Sequence, residues 1–469
     1  MSPTAHPTAD PTAHLAARHS PLVAAHVWPI TASGDDRGHL TIGGVDAADL
    51  AETFGTPLYV IDEATFADAA RRYREALARH YPGASAVHYA GKALLNTAIA
   101  RLAIDNGLGL DVVSGGELYV AIRAGVPAER IHFHGNAKTR AELEDAVSVR
   151  VGNITIDNLD ELAVLAAVTA DRPSADHAGQ SIALRLAPGV SANTHAHIQT
   201  GQRGSKFGLP LELLDVAVER IIAAPGLRLT GLHVHLGSQI VDAEPYAAAV
   251  GVLLGAAARL RDRYGLTIEE LSPGGGLGAA YLPDDAAPDI DGLVARVART
   301  LVAGSIDRGL PLPTLVLEPG RSIIARAGVA LYRVLGTKRI PDAAAGRADR
   351  FVHVDGGMGD NIRPALYGAR YMGVVANKMT DPAGAIVHVS GRYCESSDVL
   401  MRDVAMPDGV GPGDLVAVAA AGAYTLSMAN NYNLTLRPAV VMVREGRARL
   451  VQRRESYADL VARDVESGW

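Results

Sequence analysis

The chain has one cysteine, Cys394, in 469 residues, so no internal disulfide framework can hold it together. A reducing cytoplasm suits such a chain. No uninterrupted apolar run approaches the roughly 20 residues that a membrane-spanning helix needs. The net charge of −7 and the lack of any Lys/Arg-dense block argue against a nucleic-acid-binding surface. Aromatic residues are scarce at 5 %, which makes each tyrosine beside a polar motif worth reading individually. The first residues, Met1 to His19, are rich in Pro, Thr, Ala and His and lack a basic segment followed by an apolar core. They read as a disordered tail rather than a secretory signal.

What is present is globular: 48 % hydrophobic and 20 % charged residues, in a chain too long for one ordinary core. Eight short apolar runs stand out. They are Ala86 to Ala90, Gly109 to Val113, Ile131 to His134, Asn153 to Ile156, Ile182 to Leu186, Leu229 to His235, Ile268 to Leu271 and Thr314 to Leu317. Stretches of helical composition separate them, the pattern of buried parallel strands. Eight such units predict an α/β fold with a (β/α)8 barrel, whose chemistry sits on the loops after the strands. Beyond Gly328 the pattern changes to alternating runs at Val329 to Val334, Phe351 to Val354, Ile386 to Val389, Leu415 to Ala419 and Ala439 to Val443. The expected organisation is a tail over 1–25, a β segment over 26–61, a barrel over 62–328 and a C-terminal β-rich sandwich or barrel over 329–469. The N-terminal β segment is expected to join that second domain in space.

The polar clusters that end the runs carry the chemistry. Lys92 lies two residues past the first run, where an enclosed amine can lose its charge by desolvation and form a Schiff base. Gly274-Gly275-Gly276-Leu277-Gly278 follows the seventh run and Pro319-Gly320-Arg321 the eighth, the usual phosphate-binding loops of this barrel. A dinucleotide-binding turn fits less well, because the glycine spacing is imperfect and the motif comes seventh among the strands. Glu318 ends the last run, where it could hold a pyridinium N–H or pair with Arg321. Histidines recur in pairs two apart, His132/His134, His195/His197 and His233/His235. No carboxylate or cysteine stands at ligand spacing beside them, so ring stacking or loop hydrogen bonding is favoured over zinc, and no metal is expected. Cys394, between charged neighbours in Cys394-Glu395-Ser396-Ser397-Asp398, suits proton transfer better than core packing.

Taken in order, these motifs resemble those of the fold-type III pyridoxal-phosphate-dependent decarboxylases, and most of all the diaminopimelate decarboxylases. The resemblance runs from about Trp28 to Asp464. It rests on Tyr89-Ala90-Gly91-Lys92-Ala93, Gly109-Leu110-Asp111 to Gly116-Glu117, His134-Gly135-Asn136-Ala137-Lys138, Lys206-Phe207-Gly208, His235-Leu236-Gly237-Ser238-Gln239 and the triple glycine. Glu318-Pro319-Gly320-Arg321, Arg363-Pro364-Ala365-Leu366-Tyr367, Cys394-Glu395-Ser396 and Gly422-Ala423-Tyr424 complete it.

The resemblance implies pyridoxal 5'-phosphate bound through Lys92, stacked on by His235 and held at its ring nitrogen by Glu318. Ser238, Gly275, Gly276, Gly320 and Arg321 would hold the phosphate. Arg321, Arg363 and Tyr367 would bind substrate carboxylates, Glu395 the distal amine, and Tyr424 cofactor or substrate. It further implies a homodimer in which Cys394, as proton donor, and Glu395 reach the partner's site. The one departure in these motifs is Ser397, where the family has glycine. The implied reaction is decarboxylation of meso-2,6-diaminopimelate to L-lysine and CO2, the last step of lysine biosynthesis. The nearest alternatives are sister decarboxylases of ornithine, arginine or carboxynorspermidine; a non-catalytic homologue is disfavoured by intact Lys92, Glu318 and Cys394.

Overall fold

The computed structural model describes residues 24–170, 179–189 and 205–465. The described residues form two compact units, one of Thr65–Ala279 with Ala286–Ala325, the other of the segment up to Ala64, Ala280–Asp285 and the chain from Arg326 onward. Among the described residues no helix is long and apolar enough to cross a membrane. The pair His195/His197 lies outside them.

The first unit is a closed barrel of eight parallel strands: β1 (Ser85–Ala90), β2 (Gly109–Val112), β3 (Ile131–Phe133), β4 (Asn153–Ile156), β5 (Gln180–Ala187), β6 (Leu227–His233), β7 (Glu270–Ser272) and β8 (Thr314–Leu317). Each pairs with the next, and β8 returns to β1 with Leu315 opposite Ser85 and Val316 opposite Ala86. Strands β2, β3 and β4 are buried along their whole length, which is why they read as unbroken apolar runs rather than alternations.

The helix boundaries follow local capping. The helix after β1 starts at Thr97, because the Asn96 side chain accepts the N–H groups of Ala98 and Ile99, and Gly91–Ala93 forms a separate 3-10 turn that carries Lys92. Ser114 caps Gly115–Arg123, and Thr139 with Glu142 forms a capping box on Arg140–Val149.

Lys138 ties the barrel loops together. Its ammonium bonds to Glu161 at 2.8 Å and donates to the carbonyls of Gly135 at 2.9 Å and Thr155 at 2.8 Å, so all three of its protons are used. Both charged side chains are almost completely buried.

The second unit is a mixed sheet in the order Val399–Pro407, Ala383–Ser390, Arg350–Val354, Gly328–Arg339, Leu58–Asp62, Ala439–Arg444, Arg447–Gln452. The strand Leu58–Asp62, buried throughout, runs antiparallel to Gly328–Arg339 and parallel to Ala439–Arg444. The N-terminal segment therefore joins the C-terminal sheet, as its apolar run suggested. It is not all β, however. Ala47–Phe54 is a helix, capped by Asp46 and burying Ala47, Leu50 and Ala51.

The Lys138–Glu161 pair gives a stability test. Lys138→Met should cost about 3–5 kcal/mol, because it leaves a buried carboxylate without its cation. Adding Glu161→Leu should restore much of that loss. Denaturant melts of the two variants check both outcomes; equal losses for single and double variants would show that the pair is not the source.

Candidate active site

Barrel closure brings the ends of six strands around one cavity of about 370 Å³, lined among others by Lys92, Asp111, His134, Arg185, His233, His235 and Glu318. Lys92 enters from the turn after β1, His235 from the loop after β6, and Glu318 from the end of β8.

The glycines after β7 let backbone meet backbone there. A Cβ on Gly275 would lie 1.9 Å from the carbonyl oxygen of Glu318, and one on Gly276, whose φ is +112°, 2.3 Å from that of Gly237. Arg321 donates from Nε (3.1 Å) and Nη2 (2.9 Å) to the Ser238 hydroxyl, joining the last loop to the sixth.

Arg321 is thus engaged with Ser238, and Glu318 turns to other partners. His233 Nε2 lies 3.0 Å from Glu318 Oε2, the Ser272 hydroxyl donates to Oε1 at 2.8 Å, and His134 Nε2 is 3.5 Å from Oε1. Burial pushes this carboxyl up, but its electrostatic interaction with the His233 and His134 rings and the hydrogen bonds from His233 and Ser272 override it and hold Glu318 well below the usual range. The neighbouring acids go the other way. Burial raises Asp111 well above its ordinary value, against the pull of Lys92, and the charge on Glu318 adds to the rise. Burial and the same Glu318 charge raise Glu270 to about 8. The shifts of these carboxyls run in opposite directions: Glu318 is held down while Asp111 and Glu270 are pushed up.

Burial likewise keeps His134 and His235 neutral, with the charge of Glu318 opposing for His134 and the charges of Lys92 and Arg185 adding for His235. The sequence singled out His233 only as a member of a spaced pair, and His134 as a pair member and part of the His134–Lys138 motif; Ser272 and Arg185 were not found. Arg185 stacks over the Phe207 ring at 4.5 Å. The ligand atoms of His134, His233 and Glu318 lie within 4.8 Å of one another, but the His233–Glu318 spacing is that of a hydrogen bond, which accounts for the grouping directly.

The other expected residues belong to the second unit. Arg363 opens the short helix Arg363–Tyr367 and donates from Nη1 to the hydroxyls of Tyr281 (3.0 Å) and Tyr371 (2.8 Å), with its guanidinium over both rings. Neither tyrosine carried a sequence signal. Tyr367 ends that helix half-buried. Cys394 and Glu395 stand exposed on one loop, where the Tyr432 hydroxyl donates to Glu395 at 2.6 Å and Asn433 accepts the Cys394 N–H at 3.1 Å. Ser397 has no positive φ, so a side chain at this position adds no backbone strain. Tyr424 does, at φ +58°.

An amine, an ionised carboxylate and a side-chain-free glycine loop around one barrel cavity define a site for a phosphorylated aldehyde cofactor. Residues 63–325 match the model of the pyridoxal-dependent decarboxylase pyridoxal binding domain. The chain is 43 % identical to the diaminopimelate decarboxylase of Bacillus subtilis over 93 % of this chain and 97 % of that one. It is 43 % identical to that of Mycobacterium tuberculosis, over 94 % and 98 % of the two chains. Among solved structures, diaminopimelate decarboxylase from M. jannaschii in complex with L-lysine superimposes with a TM-score of 0.86 at 35 % identity, over 94 % of this chain and 98 % of that one. The chain belongs to the pyridoxal-dependent decarboxylases and, within them, to the diaminopimelate decarboxylases.

The residues present fit that cofactor. His134 Nε2 and Asp111 Oδ1, both on the cavity wall and 3.8 Å apart, are buried without a hydrogen bond, which leaves them hydrogen-bonding capacity for a polar ligand.

The charge partition has a pH signature. Glu270 holds its proton in the folded barrel up to about pH 8, whereas the unfolded chain releases it near pH ~4.3. The folded pKa is the higher one, so this group's stabilisation is complete below the unfolded value and is lost as pH rises through the folded one. Glu270→Gln should therefore flatten the fall in unfolding free energy across that window. Denaturant melts at the two ends of the window check this, and an unchanged slope would place the ionised charge elsewhere.

Proposed function

We propose that this protein decarboxylates meso-2,6-diaminopimelate to L-lysine and CO2, the last step of lysine biosynthesis, as a cytoplasmic homodimer with shared sites. The observation that carries this reading is Lys92 and the ionised Glu318 on one barrel cavity, in a chain of this family.

Pyridoxal 5'-phosphate, when bound, supplies a protonated ring that accepts the electron pair left as the Cα–carboxylate bond breaks. The chain's residues provide everything around it. The Lys92 amine would be the covalent attachment point for the cofactor aldehyde. Glu318, ionised and held from two sides, keeps a proton on the ring nitrogen. The His235 imidazole, kept neutral by burial, would stack on the cofactor ring without competing for that charge.

Ser238, Gly275, Gly276, Gly320 and Arg321 hold the phosphate. The side-chain-free loop after β7 lets backbone N–H groups approach it. Arg321, Arg363 and Tyr367 bind substrate carboxylates, with Tyr424 against cofactor or substrate, and Glu395 pairs with the distal ammonium. Loss of CO2 leaves an electron pair at Cα that must take up one proton, and the Cys394 thiol donates it. Cys394 and Glu395 lie exposed together on one loop, which suits residues that serve a second subunit.

Two experiments test the reading. Borohydride should fix the cofactor to the protein, with peptide mapping placing it on Lys92; a label on another lysine contradicts the assignment. Lys92→Ala and Cys394→Ala should each be inactive, yet recover activity when mixed and allowed to exchange subunits. Random exchange gives about half heterodimers with one intact site each, so recovery approaches about a quarter of wild type. The recovered activity should favour meso-diaminopimelate over ornithine or arginine, which lack the second carboxylate. Exchange without recovery refutes the shared site, and a preference for ornithine refutes the substrate.

A further inference from the structure

We propose that His233 is a positioning residue for Glu318: its Nε2–H bond holds the carboxylate ionised and aimed at the ring nitrogen of the cofactor. This rests on the reading that Glu318 meets that nitrogen.

The geometry is specific. His233 is the last residue of β6 and Glu318 follows β8, so the two side chains meet only when the sixth, seventh and eighth strands lie side by side. The His233 ring is 2 % exposed, and its Nδ1 is buried with no hydrogen-bond partner. With Glu318 ionised and Nε2 3.0 Å from its Oε2, the imidazole carries its proton on Nε2 and donates it. Ser272, on the intervening strand, takes the other oxygen at 2.8 Å while accepting the Gly274 N–H at 3.1 Å. Glu318 is therefore fixed through both oxygens, one towards the histidine strand and one towards the glycine loop. Its remaining acceptor directions are those left for a ligand in the cavity.

Removal of the His233 donor has a definite consequence. A buried carboxylate with one charge-stabilising bond fewer gives up its charge more easily, and a neutral acid at this position does not keep the ring nitrogen protonated. His235, two residues on in the loop after β6, lies against a different group, accepting from the Gly275 N–H at 3.4 Å. The spaced pair thus divides its work: one imidazole faces the carboxylate and the other the ring.

The test separates a positioning role from mere packing by comparing two ligands of nearly identical shape. Apoprotein is titrated with pyridoxal 5'-phosphate and with its 1-deaza analogue, which carries carbon in place of the ring nitrogen. Wild type should prefer the nitrogen ring by about tenfold or more, the scale of one charge-assisted hydrogen bond. His233→Leu should reduce that preference about tenfold, while binding of the deaza analogue changes by less than about threefold. His233→Gln, whose amide N–H can replace Nε2–H, should keep the preference. In a Glu318→Gln background, His233→Leu should have no further effect on the ratio. If the Leu variant does not fold, His233→Asn, whose amide stops short of the carboxylate, serves in its place with the same expectation.

Equal weakening of both ligands by His233→Leu, or loss of the preference in His233→Gln, overturns the positioning role. A preference that survives Glu318→Gln overturns the underlying reading of Glu318 instead, and with it the proposal.

Discussion

The site depends on keeping one negative charge inside the barrel. Burial of a lone carboxylate in such a place favours its neutral form, the direction in which Asp111 and Glu270 are pushed. Glu318 stays ionised because barrel closure presents two donors to it, the His233 imidazole from β6 and the Ser272 hydroxyl from β7. Its charge adds to the upward shifts of Asp111 and Glu270, so that these three carboxyls are driven apart. Chemistry that needs an electron sink at neutral pH needs that asymmetry.

The same strand ends are drawn tightly together by residues that have no side chain to spare. Gly275 sits against the backbone of Glu318, and Gly276 against that of Gly237. The Gly274 N–H bonds to Ser272, which bonds to Glu318, so the glycine loop and the carboxylate are parts of one hydrogen-bonded chain. Position and charge are set by the same contacts. Elsewhere in the barrel, Lys138 does for the loops after β3 and β4 what Ser272 does here, using each of its donors to join separate segments.

Much of this was legible in the sequence, for physical reasons. Buried parallel strands read as apolar runs, and the residues that terminate them, Lys92 and Glu318 among them, stand out by contrast. Helix starts were less legible, because they turn on single caps such as Asn96, and the Asp46-capped helix Ala47–Phe54 was absorbed into a β reading. His233 was visible as half of a pair, but its partner Glu318 is 85 residues away and reaches it only through the closed sheet. Ser272 and the two tyrosines on Arg363 gave no local signal, since a hydroxyl becomes informative only when its acceptor is known. The family resemblance named the groups expected to meet substrate and cofactor; the structure adds what holds one of them in its charged state.

The central claim is that the Glu318 charge is matched to a protonated ring nitrogen. It is tested most directly by nitrogen NMR of the enzyme loaded with cofactor labelled with 15N in the ring. The account predicts a resonance of the protonated, pyridinium type at neutral pH, converted to the unprotonated type in Glu318→Gln. An unprotonated nitrogen in the wild-type enzyme, or a protonated one that persists without the carboxylate, would contradict it.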